Sequence, residues 1–173
     1  MARVVELRRH TEADGDVLTP IGVRAAVDIG TRLDAGYDLL ISSGAQRATQ
    51  SLACILAGLG RRLECGVTVD PTFRSEIEER WFAAARSGGG GLESFKDADP
   101  ELVEQEARRF GEGLRRVFES LPESGRALIV GHSPMHEVAV YGLTGEIVPP
   151  IKKGGVVVVV QAQGKFKVEP IVP

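Results

Sequence analysis

The sequence is poor in several residue types that characterise specialised proteins: it has two cysteines, three histidines and no excess of basic side chains. A net charge of −3 gives no reason to expect nucleic acid as a partner. No apolar run approaches the ~18 residues that a membrane span needs, and the valine run Val156–Val160 is far shorter. The chain enters a charged strand near its N-terminus without a signal-peptide pattern, so we expect a cytoplasmic protein with no membrane partner.

The rest of the composition is that of an ordinary globular protein. Of 173 residues, 43% are hydrophobic and 26% are charged, which is enough to build a core without metals or disulfides. We therefore predict one domain over residues 1–173. Cys54 and Cys65 have no CxxC spacing and no histidine nearby, which favours reduced core residues.

Short apolar runs alternate with helical periodicities along the whole chain. The predicted strands cover residues 3–8, 38–42, 63–69, 127–130, 156–160 and 165–169. The predicted helices follow Thr19-Pro20, follow the second strand, span Val103–Leu121, and follow Ser133-Pro134. This alternation predicts the α/β class, as a single-domain three-layer α/β/α sandwich with a mostly parallel central sheet.

One low-complexity segment, Ser87–Gly91, lies in a predicted insertion between Asp70 and Asp99. Its sequence, SGGGG, cannot hold a fixed conformation without a large entropic cost. The insertion is therefore interpreted either as a surface connection or as a lid over a site.

Polar side chains follow three of the predicted strands at the point where each strand ends. The three ends are Arg9-His10, Ser42-Ser43 with Arg47 shortly after, and Gly131-His132-Ser133. In open α/β sheets, ligands bind beyond the carboxyl ends of the strands, where helix N-termini offer free N–H groups. We expect these three ends to form one site.

Histidine beside arginine suits phosphoryl transfer. A neutral imidazole can attack phosphorus while arginines stabilise the charge of the equatorial oxygens. Nearby arginines also disfavour protonation of His10, which keeps it nucleophilic near neutral pH. This chemistry needs no metal and no other cofactor, but the leaving oxygen needs a proton, which a carboxylic acid can supply. Arg8 points to the opposite face of its strand by the two-residue alternation and is predicted to be structural.

Four motifs, in order along the chain, resemble those of the histidine phosphatases, the superfamily that includes the cofactor-dependent phosphoglycerate mutases. The stretches are LRRHTEA, LTPIGVRAA, SSGAQRATQSL and IVGHSP. The resemblance implies a phosphoglycerate mutase-like fold, with a small phosphatase as the nearest branch. It also implies that His10 is the nucleophile, that Arg9, Arg47 and His132 bind the transferring phosphoryl group, and that Thr11 and Ser133 contribute to substrate binding.

Two departures from the motifs affect the predicted site. Thr11 stands where the family usually has glycine, so a branched side chain must fit beside the nucleophile. The stretch FRSEIEERWFAA keeps a glutamate and Trp81 of the family's acid motif but not its glycines. Glu76 is the candidate general acid, Glu78 and Glu79 are alternatives, and a solvated helix face is the other interpretation of all three.

The first functional hypothesis is a metal-independent phosphatase that acts on phosphorylated small molecules through phospho-His10. The short loop after the nucleophile, residues 12–17, also resembles the branch that hydrolyses phosphohistidine on proteins, so a phosphoprotein substrate stays open. A mutase-like phosphoryl transferase is less favoured, because the mutases of the family tend to be longer.

Two alternatives lie outside this chemistry. His132 and His136 have the i, i+4 spacing of a metal pair, but the glutamate of a His-Glu-x-x-His motif is missing, and we predict no metal site. A non-catalytic module that binds a phosphorylated ligand in the same pocket is the second alternative, which the presence of both His10 and His132 disfavours.

Overall fold

Strands and helices alternate along the chain in a computed structural model that describes residues 1–34 and 36–169. The strands are β1 (Arg3–Arg9), β2 (Ala13–Asp14), β3 (Val17–Leu18), β4 (Leu39–Ser42), β5 (Val67–Val69), β6 (Arg126–Gly131), β7 (Val156–Ala162) and β8 (Lys165–Glu169). The helices are α1 (Pro20–Arg32), α2 (Gln46–Leu59), α3 (Glu78–Ser87), α4 (Leu92–Ala98), α5 (Pro100–Ser120) and α6 (Met135–Thr144), with a 3₁₀ turn at Pro71–Phe73. Within the described ranges, no helix combines the length and the apolar character that a membrane crossing requires.

The central sheet has six strands in the order β5-β4-β6-β1-β7-β8. The first four are parallel to one another, while β7 and β8 join the sheet antiparallel. Because β4, β6 and β1 are neighbours and run the same way, their carboxyl ends meet at one edge of the sheet. The short β2–β3 hairpin stands apart from the sheet and directly follows β1.

Helices cover both faces of the sheet, which confirms the three-layer sandwich. On one face α1 packs against α2, with Ala26 and Leu52 fully buried between them and the sheet. On the other face α5 packs closely against α6 at Gly142, where a Cβ atom would lie 1.9 Å from the Ala107 carbonyl oxygen. The two apolar layers enclose the strands, as continuous valine and leucine runs predict.

Two predicted elements differ from those observed. The strand expected over residues 63–69 forms only at Val67–Val69, because Leu63 and Cys65 instead pack against the core on the α2 side. The long helix expected from Val103 begins earlier, at Pro100, because the Asp99 side chain caps it by accepting a hydrogen bond from the Leu102 backbone N–H. Both cysteines are free and half-buried.

The insertion between β5 and α5 is joined to the core by aromatic side chains. Trp81 of α3 packs edge-on against Phe95 of α4, with ring centroids 5.4 Å apart, and both side chains are buried. Arg80 forms an ion pair with Asp99 at 2.8 Å. The helices on either side of the glycine segment are therefore fixed to the domain. Movement of residues 87–91 as a lid stays a prediction.

Candidate active site

The carboxyl ends of β1, β6 and β4 bring the predicted histidines together. The backbone N–H of His10 donates to the Gly131 carbonyl at 2.9 Å, and that of Ser43 donates to the Val130 carbonyl at 3.0 Å. The ring centroids of His10 and His132 lie 5.4 Å apart. Residues that are 122 positions apart in sequence thus face one small volume, because parallel strands deliver them to the same edge.

The ring of His10 is held in the state that a nucleophile needs. Its Nδ1 lies 2.7 Å from the carbonyl oxygen of Thr11, and since a carbonyl can only accept, Nδ1 carries the proton. The lone pair of Nε2 is therefore free. Burial and, to a smaller extent, the positive charges of Arg47, Arg9 and Lys153 together lower the pKa of His10 to about 4, against the hydrogen bond to Thr11. The ring is neutral at pH 7.

His132 is also neutral, but both of its nitrogens are engaged. Its Nδ1 lies 3.4 Å from Nη2 of Arg47, which can only donate, so Nδ1 is the acceptor. Nε2 then carries the proton and donates to the Ser43 hydroxyl at 2.8 Å. Burial, followed by the charge of Arg47, lowers the pKa of His132 to about 2.

Arg47 is held between His132 and a carboxylate that the sequence analysis missed. Its Nη1 donates to Asp16 Oδ1 at 3.0 Å. The same carboxylate accepts hydrogen bonds from the backbone N–H groups of Gln46 and Arg47, at 3.2 and 3.4 Å. Ala45 at the N-cap of α2 has no capping side chain, so Asp16 caps this helix from the β2–β3 hairpin. The sequence signal that points to a cap from elsewhere is Ala45, which has no side chain able to cap the start of α2.

Arg8 and Arg9 at the end of β1 lie on opposite faces of the strand, as the alternation predicts. Arg9 donates from Nη1 to the Ile151 carbonyl at 2.9 Å. Arg8 donates to the Gly154 carbonyl at 2.7 Å and lies 3.9 Å from the Glu6 carboxylate. Arg8 is thus bound within the structure, whereas Arg9 is half-buried beside His10.

Thr11 fits beside His10 by turning its side chain into the interior. Its hydroxyl donates to the Gly22 carbonyl at 2.8 Å, and its backbone N–H donates to Ser51 Oγ at 3.1 Å. Gly22 allows this packing, because a Cβ atom there would lie 1.9 Å from the Glu12 carbonyl oxygen. The hydroxyl proton of Thr11 is therefore bound to the backbone of α1 and is not available as a donor to a substrate.

The hydroxyl of Ser133 is also engaged within the protein. It donates to Oε1 of Glu137, a residue in the first turn of α6. Glu137 is only 2% exposed and accepts a second hydrogen bond, from the Ile151 backbone N–H at 2.8 Å. Nothing in the sequence distinguishes Glu137 from an ordinary acidic residue near a helix N-terminus, so its burial could not be foreseen.

The candidate acids Glu76, Glu78 and Glu79 line an open depression of about 680 Å³, together with Arg74 and Arg80. The Glu76 side chain is 87% exposed, and its carboxylate lies 3.8 Å from Arg109. Glu78 lies 3.4 Å from Arg74. Among the described residues no hydrogen bond joins these glutamates to His10 or His132. Arg74 links the two places, since its positive charge contributes to lowering the pKa of His132.

The geometry does not support a metal shared by His132 and His136. His136 is fully buried and its Nε2 donates to the Arg8 carbonyl at 3.1 Å, while His132 is engaged with Ser43. In the part of the chain that the structure describes, no three histidine, cysteine or acidic side chains are grouped for metal binding.

No protein-family model and no curated protein matches the chain. Solved structures do. A phosphoglycerate mutase from Bacillus anthracis str. Sterne aligns with a TM-score of 0.75 at 16% identity, covering 98% of this chain and 92% of that chain. A phosphoserine phosphatase from Entamoeba histolytica, in complex with 3-phosphoglyceric acid, aligns with a TM-score of 0.75 at 15% identity, covering 97% and 95%.

The protein histidine phosphatase SixA, complexed with tungstate, aligns with a TM-score of 0.59 at 16% identity, covering 96% of this chain and 94% of that chain. Similarity at these identities shows the fold and not the activity. The fold is that of the phosphoglycerate mutase-like histidine phosphatases, as the four sequence motifs imply.

Proposed function

We propose that this chain is a metal-independent phosphatase that hydrolyses phosphomonoesters through a phosphohistidine on His10. The observation that carries the proposal is the state of His10: a neutral ring whose Nδ1 is held by Thr11 and whose centroid lies 5.4 Å from that of His132, the ring that Arg47 contacts. A neutral imidazole with one nitrogen fixed as donor is the nucleophile that such a mechanism requires.

In the first step Nε2 of His10 forms a bond to phosphorus while the bond from phosphorus to the ester oxygen breaks. Arg9 and Arg47 bind the equatorial oxygens and stabilise their charge. The hydrogen bonds from Arg47 to Asp16 and His132 hold its guanidinium group in place. The departing oxygen takes a proton from Glu76 or, for a good leaving group, departs as an anion. In the second step a water oxygen forms a bond to phosphorus while the bond from phosphorus to Nε2 breaks, and inorganic phosphate leaves. Where Glu76 donated its proton in the first step, the attacking water returns one to it, and His10 is again a neutral ring with its proton on Nδ1.

A phosphohistidine protein is the second candidate substrate, and the exposure of Glu76 favours it. A general acid usually depends on burial to keep its proton, whereas the Glu76 side chain is 87% exposed and its carboxylate lies near Arg109. A phosphorylated imidazole needs little help from such an acid, because a protonated imidazole is a good leaving group. The SixA neighbour, a protein histidine phosphatase, has the same fold.

Two other functions would use the same site around His10. A mutase-like transferase would pass the phosphoryl group to a second hydroxyl instead of water. A binding module would hold a phosphorylated ligand without forming phospho-His10. Both are separated from a phosphatase by the fate of the phosphoryl group.

The test is hydrolysis of p-nitrophenyl phosphate in excess EDTA by the wild type, His10→Ala and, as a control, Glu123→Gln on the exposed surface between α5 and β6. The expected result is turnover that survives chelation, and an acid-labile, alkali-stable phosphoenzyme on rapid quench, both lost only in His10→Ala. Turnover lost to EDTA would reject the mechanism.

If the folded wild type shows no turnover, a protein phosphorylated on histidine is tested as the substrate. Release of phosphate from that protein alone identifies the second candidate. Phosphate binding without any phosphoenzyme identifies the binding module.

A further inference from the structure

We propose that Glu137 positions Arg9 for phosphoryl binding, acting through the backbone of Ile151. The inference rests on the proposed function in that it takes Arg9 as a ligand of the phosphoryl group. Glu137 contacts no reacting atom in this arrangement, so it is a positioning residue.

Ile151 is held from two sides by these two side chains. Its N–H donates to Glu137 Oε1 at 2.8 Å, and its carbonyl accepts from Arg9 Nη1 at 2.9 Å. Glu137 belongs to α6 and Arg9 to β1, so Ile151 lies between a helix and the strand that carries the nucleophile. A shift of Ile151 therefore moves the point to which the guanidinium of Arg9 is fixed.

The carboxylate also holds the neighbouring strand end. Its Oε1 accepts from the hydroxyl of Ser133, the residue that follows His132. One carboxylate oxygen thus restrains both the anchor of Arg9 and the backbone next to His132. Restraint of this kind places charged groups before the substrate arrives, which reduces the reorganisation that the reaction requires.

Burial indicates that Glu137 has a task beyond packing. The residue is 2% exposed, and burial raises the pKa of its carboxyl group against the hydrogen bonds from Ile151 and Ser133. A buried carboxylate is costly, and an apolar side chain at this position of α6 would avoid the cost. Four side-chain atoms are buried without a hydrogen-bond partner in the described part of the chain. Glu137 Oε2 and Arg9 Nε are two of them, and the others are Arg8 Nε and His136 Nδ1.

The role assigned here depends on hydrogen-bond acceptance. Burial is the largest influence on the pKa of Glu137 and the charge of Arg9 acts against it, but among the described residues the two side chains form no ion pair within 4.0 Å. Glu137→Gln keeps an acceptor oxygen and removes the charge. Glu137→Met keeps a similar side-chain length and removes the acceptor. The two variants therefore separate the proposed role from a role of the charge.

The matched control is Glu6, a buried carboxylate of β1 that lies on the strand face opposite to Arg9. It accepts from the Tyr37 hydroxyl at 3.2 Å and lies 3.9 Å from Arg8. Glu6→Met and Glu6→Gln should lower the unfolding midpoint by an amount comparable to that of the Glu137 variants. They should leave anion affinity per folded molecule unchanged, because Arg8 does not belong to the phosphoryl site.

The experiment measures tungstate binding and the hydrogen exchange of the Ile151 amide in all five proteins. Glu137→Met should raise the dissociation constant of tungstate about tenfold or more, while Glu137→Gln should stay within about threefold of the wild type. The Ile151 amide should lose protection in Glu137→Met alone. The KM for p-nitrophenyl phosphate should follow the tungstate constant.

Unchanged tungstate affinity or unchanged Ile151 protection in folded Glu137→Met would overturn the proposal, as would equal losses in both Glu137 variants. Failure of the proposed function looks different. It would appear as a wild type that neither hydrolyses the ester nor forms phospho-His10, while the exchange of Ile151 still reports on Glu137.

Discussion

Asp16 and Arg47 form an ion pair of 3.0 Å across the gap between the β2–β3 hairpin and α2. The pair lies at the start of α2, where Asp16 also accepts two backbone hydrogen bonds. The carboxylate fixes one branch of the guanidinium, and the other branch points at His132. A surface loop thus determines the direction of a side chain in the candidate active site.

We expect Asp16→Ala to lower kcat/KM for p-nitrophenyl phosphate about tenfold, because Arg47 loses the partner that orients it. Loss of the α2 cap should also lower the free energy of unfolding by about 1 kcal/mol in urea titrations. Asp34→Ala is the control, since its 3.0 Å ion pair with Arg61 lies on the exposed surface. Equal kinetics in the wild type and Asp16→Ala would contradict the orienting role.

The three histidines predict how stability depends on pH. Burial lowers the pKa of His10 and His136 to about 4 and that of His132 to about 2 in the folded state, against ~6.5 for an unperturbed histidine. The unfolded chain binds more protons below pH ~6.5, so the stability that neutral burial supplies is complete above that pH and is lost as the pH falls toward 4. We expect a loss of about 1.4 kcal/mol per pH unit for each histidine that the unfolded chain protonates.

Urea midpoints measured between about pH 7.5 and about pH 5 test this dependence in the wild type and in His136→Gln. The glutamine can still donate to the Arg8 carbonyl but does not titrate, so the slope should become smaller. A midpoint that does not change over this range would show that the rings are protonated in the folded protein.

Glu76→Gln distinguishes a general acid from a solvated glutamate. We expect turnover of an alkyl phosphate to fall about tenfold or more, and turnover of p-nitrophenyl phosphate to change by less than about threefold, because nitrophenolate leaves without a proton. Glu78→Gln is the matched variant on the same depression, paired with Arg74 instead of Arg109. Full alkyl phosphatase activity in Glu76→Gln would remove the acid assignment and leave Glu78 and Glu79 to be tested.

Thr11→Val tests what the hydroxyl of Thr11, the residue after His10, contributes to stability. Valine matches the shape of threonine but cannot donate to the Gly22 carbonyl, which is buried against it. We expect the free energy of unfolding to fall by about 1–3 kcal/mol, because a buried carbonyl loses its partner. The measurement is urea unfolding with Ser120→Ala, a variant in a hydroxyl that donates to a carbonyl within α5, as the control. A stability equal to that of the wild type would show that the hydroxyl does not secure α1.

The sequence predicted the sheet and the strand ends because local patterns determine both. Valine and leucine runs define β1, β4, β6 and β7, and the order of strands and helices limits the possible topologies to a few. His10 and His132 were identifiable because each directly follows a strand, and Arg47 because it lies at the start of the helix that follows β4. Their positions depend on the sheet, so knowledge of the fold class was sufficient to expect them in one place.

Asp16 and Glu137 could not be identified in the same way, because their roles depend on packing between distant segments. Asp16 acts on α2, which begins thirty residues later, and Glu137 acts on a loop fourteen residues away. No local pattern distinguishes a carboxylate that caps another helix, or is buried against a loop, from one that is solvated. The exposure of Glu76 has the same origin, since it depends on how the insertion turns before α3.

The three histidines can serve as intrinsic NMR probes of the candidate active site. The sequence has three histidines: His10 and His132 face each other in the candidate active site, and His136 follows one helical turn after His132. Every imidazole resonance in a proton NMR spectrum of the unmodified chain therefore arises from this one region. Titration with an anion can be followed there without labels or introduced reporters.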